Sequence, residues 1–130
     1  MKLKAQEIYG MFEAINALSK EAIPMPTAFH IAKNTKIIKE EATSIDEARQ
    51  NLIMQCAAKK EDGSIDTQEN GMIKIEDSKI VYFNEEIKKL FDTDIELPIK
   101  EIPLSALNQV NVSIQTIEAL LPIILDDSQE

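Results

Sequence analysis

The apolar positions of the first sixty residues follow the period of a helix. Between Leu3 and Glu21, apolar residues recur every three or four positions, at Ile8, Met11, Ile15, Leu18 and Ala22. This spacing predicts a helix with one buried face. The helix is expected to end before Pro24-Met25-Pro26, because the residue that precedes a proline is driven out of the helical region.

A second, longer helix is predicted from Thr27 to Lys60, a stretch without glycine or proline. If continuous, it is about 50 Å long at 1.5 Å per residue. Ser44 and Glu47 have the spacing of a capping box, which would break the helix there. The apolar phase runs through this point unbroken, so one continuous or kinked helix is favoured. A short proline turn joins it to the first helix, which predicts an antiparallel pair.

The long helix has an apolar seam with a spacing of seven residues, formed by Ile31, Ile38, Ile45 and Leu52. A seam of this kind is usually the core of a helical hairpin within one chain. A helix that outreaches a small domain can instead expose part of its seam, so that two copies meet as a coiled coil. The seam is therefore a candidate interaction surface for a homodimer.

Two glycine turns open the second half of the chain. Glu61-Asp62-Gly63 and Glu69-Asn70-Gly71 are turn sequences. The segments 64–67 and 72–76 flank the second turn, which predicts a small β-hairpin.

Shorter helices and strands are predicted after the hairpin. A third helix is expected to begin at 77–78, with an apolar face formed by Ile80, Phe83, Ile87 and Leu90. The alternating segment 95–99 predicts a strand, which Pro98 confines to a sheet edge or a bulge. A further short strand is predicted at 110–112, and Ser113 is expected to cap a last helix.

These elements predict an α+β fold in a single domain over 1–130. A chain of this length can bury one sizeable core. The helical hairpin is expected over 1–60, a small sheet or hairpin with two shorter helices over 61–125, and a polar tail over 126–130.

The charge of the chain is unevenly distributed, although the net value is only −9. Residues 1–60 have nine Lys and Arg against seven Asp and Glu, whereas residues 61–130 have five against sixteen. Such an acidic half repels nucleic acid and anionic membranes, so direct binding to either is not expected. It serves solubility, or it fits a basic groove on a partner. The candidate acidic surface consists of Asp92, Asp94, Glu96 and Glu101.

No residue pattern predicts catalysis, a cofactor, a metal site or a small-molecule ligand. His30 and Cys56 are the only residues of their types, and each is more often structural than reactive when alone. Residues 60–69 resemble the second half of an EF-hand loop, but Ala58 and Lys60 stand where the first half needs carboxylates. We therefore expect no enzymatic activity. The single cysteine, the absence of a signal-peptide pattern and the absence of a membrane-spanning stretch fit the cytosol.

Several stretches, in the same order along most of the chain, resemble an uncharacterised family of small bacteriophage and prophage proteins. The stretches that carry the resemblance are Ala14–Leu18, Pro24–Asn34, Glu47–Leu52, Leu90–Leu97, Leu104-Ser105 and Ile117–Pro122. The resemblance implies a phage origin and a location in the bacterial host cytoplasm, either free or within a phage assembly. It implies no active-site residues.

Two functional hypotheses follow. The first is a non-catalytic phage protein that acts through protein–protein contacts, as a virion-associated or assembly accessory factor that also self-associates. The alternative is an acidic host-directed inhibitor, which would occupy a basic groove on a host defence or nucleic-acid enzyme.

Overall fold

The chain folds as an α+β protein, which confirms the predicted class. A computed structural model describes residues 1–108 and 110–127. The helices within them are α1 (Ala5–Leu18), α2 (Thr27–Cys56), α3 (Ile80–Phe91) and α4 (Ile114–Leu120). The strands are β1 (Lys2–Lys4), β2 (Asp94–Glu96), β3 (Ile102–Pro103) and β4 (Ile124–Leu125). Short 3-10 helices occupy Asp77–Lys79, Leu104–Leu107 and Leu121–Ile123. None of the described helices is long and apolar enough to cross a membrane.

The predicted helical hairpin is present, with α1 packed along α2. The buried faces of the two helices consist of Ile8, Met11, Ile15, Leu18, Ile31, Ile38 and Ile45. The hydroxyl of Tyr9 donates a hydrogen bond to the Asp46 carboxylate at 3.2 Å. This contact places the start of α1 beside the middle of α2, as an antiparallel pair requires.

The chain begins as a strand, which corrects the predicted helix start at Leu3. Residues of β1 pair antiparallel with β2, in the register Lys2 with Glu96 and Lys4 with Asp94. Leu3 is buried on the inner face of this ribbon. The helix then starts at Ala5, where Glu7 Oε1 accepts a hydrogen bond from the Lys4 amide at 2.9 Å. A strand partner about ninety residues away overrides the local helical pattern.

Helix α2 runs through Ser44 without a break, as the apolar phase predicted. The hydroxyl of Ser44 donates to the Glu40 carbonyl at 3.3 Å, and Thr43 does the same to Lys39 at 2.8 Å. Both hydroxyls are therefore used within the helix, so the capping-box reading is wrong. The helix ends at Cys56, four residues before the predicted end at Lys60, because residues 57–59 enter β-bridges.

The C-terminal segment differs from prediction in its strands. The strand predicted over 95–99 is shorter, because the ladder of β2 ends at Glu96, before Pro98. The strand predicted at 110–112 is wrong, since the Val110 amide donates to the Leu107 carbonyl at 3.0 Å in a turn. A parallel pair of β3 and β4 is present instead. The last helix is capped as predicted, with the Thr116 amide donating to Ser113 Oγ at 3.1 Å.

Asn34 ties the C-terminal segment to α2. It is the buried polar residue of the core, with 1% of its surface exposed. Its Nδ2 donates to the Lys100 carbonyl at 2.7 Å, and its Oδ1 accepts from the Lys100 amide at 3.1 Å. The side-chain amide thus pairs with the backbone of Lys100 as a neighbouring strand would. It satisfies the N–H and C=O groups of that residue, which the short strands leave unpaired.

Part of the predicted polar tail is anchored. The Asp127 carboxylate accepts hydrogen bonds from the Ser105 hydroxyl and from the Ser105 amide, the latter at 2.8 Å. These two bonds lower the pKa of Asp127 below its ordinary value, and the bond from the hydroxyl has the larger effect. The rest of that predicted tail, 128–130, lies outside the described residues.

The hydrophobic core occupies only one end of the molecule. Its buried side chains come from residues 3–45 and 97–123, that is, from the hairpin and the C-terminal segment. Residues 46–89, which we call the distal lobe, add none to this cluster. Within the distal lobe only Cys56 and Ala57 are buried. The lobe is thus a lightly packed extension of the core.

Candidate protein-binding groove

Three short segments of the distal lobe, residues 57–59, 65–67 and 73–75, close on one another as a ring of β-bridges. The bridges join Ala57 with Ile75, Lys59 with Ile65, and Thr67 with Ile73, and all are antiparallel. In each bridge, the first position of one segment therefore pairs with the last position of another. The arrangement has a threefold pattern that repeats every eight residues.

Backbone hydrogen bonds complete this ring. The Ala58 amide donates to the Lys74 carbonyl at 2.8 Å, and the Lys74 amide donates to the Asp66 carbonyl at 3.1 Å. The Asp66 amide in turn donates to the Ala58 carbonyl at 2.8 Å. Each of the three residues uses its own N–H and C=O inside the ring. These central groups are thus not available as a sheet edge for another strand.

The sequence contains a signal for this ring that our sequence analysis missed. The stretches 61–65 and 69–73 share the pattern Glu, Asp or Asn, Gly, any residue, Ile, at an offset of eight. Gly63 and Gly71 have positive φ angles of 87° and 83°, which L-residues rarely adopt. The predicted hairpin across the second turn is confirmed by the bridge between Thr67 and Ile73, whereas the first hairpin was predicted only as a turn.

The same polar contact stabilises both turns. Asp62 Oδ1 accepts from the Ser64 amide at 2.9 Å, and Asn70 Oδ1 accepts from the Met72 amide at 3.0 Å. The Ser64 hydroxyl also donates to Asp62, and these bonds lower the pKa of that exposed carboxyl. The turns are thus defined by their own side chains.

A groove lies between this hairpin, the last turns of α2 and the inner face of α3. It has a volume of about 590 Å³ and is lined by Arg49, Gln50, Ile53, Gln68, Gly71, Met72, Ile73, Ile75, Phe83 and Ile87. A smaller opening of about 320 Å³ continues it towards Lys74, Asp77 and Ile80. The two openings share Gln68, Ile75 and Phe83. We call the combined surface the distal groove.

The apolar side chains of the distal groove are left partly in contact with solvent. Met72 is 63% exposed and Ile80 is 40% exposed. The remaining apolar lining is half-buried, at Ile53, Ile73, Ile75, Phe83 and Ile87. Because the lobe has almost no buried core of its own, this surface gains much by contact with another apolar surface.

Charged side chains mark the ends of the distal groove. Arg49 is held by Asp46, whose Oδ1 accepts from Nη2 at 3.1 Å and from Nε at 3.2 Å. At the opposite opening, Lys74 and Asp77 contribute one charge of each sign. The groove thus combines apolar side chains with polar groups and charges of both signs, as protein interfaces do.

The predicted seam lies mainly inside the molecule. Ile31, Ile38 and Ile45 have 2%, 0% and 4% of their surfaces exposed, and Leu52 is half-buried. The first three pack in the core with α1, so they are not available to a second copy. These three residues form an intramolecular seam, so their interpretation as an exposed coiled-coil surface is wrong. The reason is that α1 already covers the face.

The four residues of the candidate acidic surface are all exposed, namely Asp92, Asp94, Glu96 and Glu101. Cations from β1 meet two of them across the ribbon. Lys4 Nζ lies 3.9 Å from Asp94, and the Met1 amino group lies 3.1 Å from Glu96. Lys4 also donates to the Asp92 carbonyl at 3.4 Å. Antiparallel register thus places positive charge beside the acidic strand, which reduces the field that it presents.

The other residues considered for chemistry lie apart from the distal groove lining. His30 is half-buried, and its Nδ1 is a buried atom with no hydrogen-bond partner within the described part of the chain. The Cys56 thiol is free and buried. No group of three metal-ligating residues occurs among the residues that the structure describes. The EF-hand-like segment, residues 60–69, forms the first glycine turn and the bridged residues that follow it.

Comparison with protein-family models, with curated proteins and with solved structures finds no match at a significant level.

Proposed function

We propose that the protein acts by binding another protein, without catalysing a reaction, and that the distal groove is the binding surface. The observation that supports this proposal most directly is the groove itself, which has a continuous apolar lining outside the hydrophobic core. Met72 at its rim is 63% exposed although it is one of the larger apolar side chains. Exposed apolar surface that is concave and rimmed by charge is typical of docking sites.

The energetic contribution of the groove comes from completing the burial of its lining. Burying one large apolar side chain completely contributes about 1.5–3 kcal/mol. Met72 and Ile80 have the most surface left to bury. These two side chains contribute at most about 3–6 kcal/mol, which is less than the about 8 kcal/mol net of a micromolar complex. The half-buried lining and the polar groups of the groove must therefore supply the rest, together with the cost of association. The charges at the groove edges would orient the partner.

The biological setting of this binding comes from the resemblance to small phage proteins. We propose a role in a bacterial host cytoplasm, as a virion-associated or assembly accessory factor. Such roles are carried out by contact surfaces, for which the distal groove is the candidate in this chain.

Site-specific photo-crosslinking in a bacterial host tests the proposal. A photoreactive phenylalanine replaces Met72 at the groove, and in a separate variant it replaces Met25, which is 71% exposed and outside the groove. We expect a discrete crosslinked product from position 72 and not from position 25. No product at 72, or the same products from both positions, would contradict the proposal.

An acidic inhibitor remains the second candidate, supported by the charge of the C-terminal segment. Residues 90–127 contain seven Asp and Glu and one lysine. Charge reversal of Glu101, which follows β2, would weaken binding to a basic partner and reduce its salt dependence. Salt-independent binding that is unchanged by Glu101→Lys would exclude this candidate.

A further inference from the structure

We infer that the distal groove is covered by the same surface of a second copy, in a two-fold symmetric dimer in which the exposed apolar side chains of each copy enter the groove of the other. This inference rests on the proposed function, because it names the partner of the same surface. Homodimers with two-fold symmetry are the commonest protein assemblies. Such a contact requires one surface that is complementary to itself, in shape, in apolar character and in charge.

The distribution of charge favours the distal lobe for this contact. The lobe, residues 46–89, contains seven Lys and Arg and ten Asp and Glu. The segment 90–127 has seven acidic residues and a single lysine. Two copies that met through the C-terminal segment would bring charge of one sign together, whereas two distal lobes bring both signs to the contact.

The edges of the groove carry this complementarity at the level of single residues. Lys74 and Asp77 line the same opening. In a two-fold contact, residue i of one copy meets residue j of the other, and the reverse pair forms at the same time. Lys74 of one copy can therefore pair with Asp77 of the other, twice. Met72 lines the larger opening and Ile80 lines the smaller one, so both belong to the surface that the second copy covers.

The ring of bridges supports side-chain packing as the mode of contact. The central residues of the ring, Ala58, Asp66 and Lys74, use their own backbone groups within the lobe. A second copy thus has no free ladder to extend at these positions. The dimer is expected to form by burial of Met72 and Ile80, and not by addition of a strand.

Sedimentation equilibrium on the full chain tests the inference. The chain mass is 14.6 kDa, so a dimer has twice that mass. We expect the wild type to change from monomer to dimer between about 1 and about 100 μM, as weak homodimers do. Met72→Asp should raise the dissociation constant at least about tenfold, since it places a charge among the apolar side chains that the contact buries. Met25→Asp is the matched control and should leave the dissociation constant unchanged.

Folding of each variant is checked by circular dichroism and by its melting transition. If Met72→Asp does not fold, Ile80→Lys replaces it as a second rim variant with the same expected effect. A dimer that is unchanged by a folded rim variant would overturn the inference. Equal weakening by Met25→Asp would also overturn it, because the effect would then not be specific to the groove.

The crosslinking experiment separates failure of this inference from failure of the proposed function. A wild type that stays monomeric at about 100 μM, together with a crosslink from position 72 to a different protein, refutes the dimer but supports the groove as a binding surface. A monomer with no crosslink at position 72 refutes both. A crosslinked product of twice the chain mass supports both.

Discussion

Replacing Asn34 by alanine is expected to destabilise the fold strongly, although the change removes only a few atoms. The side chain is 1% exposed and makes two hydrogen bonds to Lys100, at 2.7 and 3.1 Å. Alanine leaves both the amide and the carbonyl of Lys100 without this partner. The C-terminal segment then loses its direct attachment to α2.

The magnitude follows from the two hydrogen bonds and their surroundings. Leaving a buried backbone group unpaired costs about 1–3 kcal/mol. The Lys100 backbone is only part-buried, so water recovers some of this loss, and about 1 kcal/mol per bond is the appropriate value. The cavity left by the side chain adds about 1 kcal/mol. We expect a decrease of about 2–4 kcal/mol in the free energy of unfolding, a large part of the 5–15 kcal/mol of a typical domain.

Urea denaturation monitored by circular dichroism measures this decrease, with Asn51→Ala as the matched control. Asn51 lies on the exposed side of the same helix, so its replacement should change stability by less than about 0.5 kcal/mol. A result for Asn34→Ala within that range would refute the reasoning. Faster hydrogen exchange of the Lys100 amide in Asn34→Ala would show that the predicted bond is the one lost.

Asn34→Asp provides a pH-dependent test of the same bond pair. Aspartate keeps an acceptor for the Lys100 amide but places negative charge beside the Lys100 carbonyl, in a buried site. Burial and the carbonyl raise the pKa of such a carboxyl in the folded state above about 3.9, its value in the unfolded chain. Relative to the wild type at the same pH, the variant should therefore be most stable below that value and lose stability as the pH rises through the folded-state pKa. Stability that increases with pH would contradict the assignment.

Three further predictions concern glycine, the terminal carboxylate and the seam. Gly10→Ala should stabilise the protein by about 0.5–1 kcal/mol, because a Cβ at this helical position meets nothing within 4 Å. Gly71→Ala, at a φ of 83°, should destabilise it by about 1 kcal/mol. A lower melting temperature for Gly10→Ala, or a higher one for Gly71→Ala, would contradict the respective prediction. Ser105→Ala should raise the pKa of Asp127 towards its ordinary value of 3.8, as measured by carboxyl NMR. The stability that this bond contributes is present above that value and lost as the pH falls below it, so an unchanged pKa would contradict the bond. Ile38→Asp should unfold the chain, because Ile38 is 0% exposed; a folded monomer by circular dichroism and sedimentation would contradict the internal seam.

Local patterns in the sequence determined the helices and the turns of this protein. The spacing of apolar residues predicted α1 and α2, and the unbroken phase of that spacing predicted that α2 runs through Ser44. Gly63 and Gly71 marked the turns, and Ser113 marked the cap of α4. These features depend on interactions within one or two turns of chain, so a short stretch of sequence contains the information that specifies them.

Only the tertiary structure decided which segments pair and which faces are covered. The pairing of β1 with β2 depends on residues about ninety positions apart, and the Asn34 contact joins residues that no local pattern connects. The same is true of the seam, whose periodicity fits an internal core and an intermolecular coiled coil equally well until α1 is seen to cover it.

The distal groove is a product of the fold in the same sense. Its walls come from α2, the second hairpin and α3, and each contributes apolar residues that are ordinary in their own segment. Exposure of Met72 and Ile80 results from the position of the distal lobe outside the core. The sequence contained the eight-residue repeat that shapes the hairpins. The sequence alone did not show which segments pack against those hairpins, because burial depends on packing between segments and not on the local order of residues.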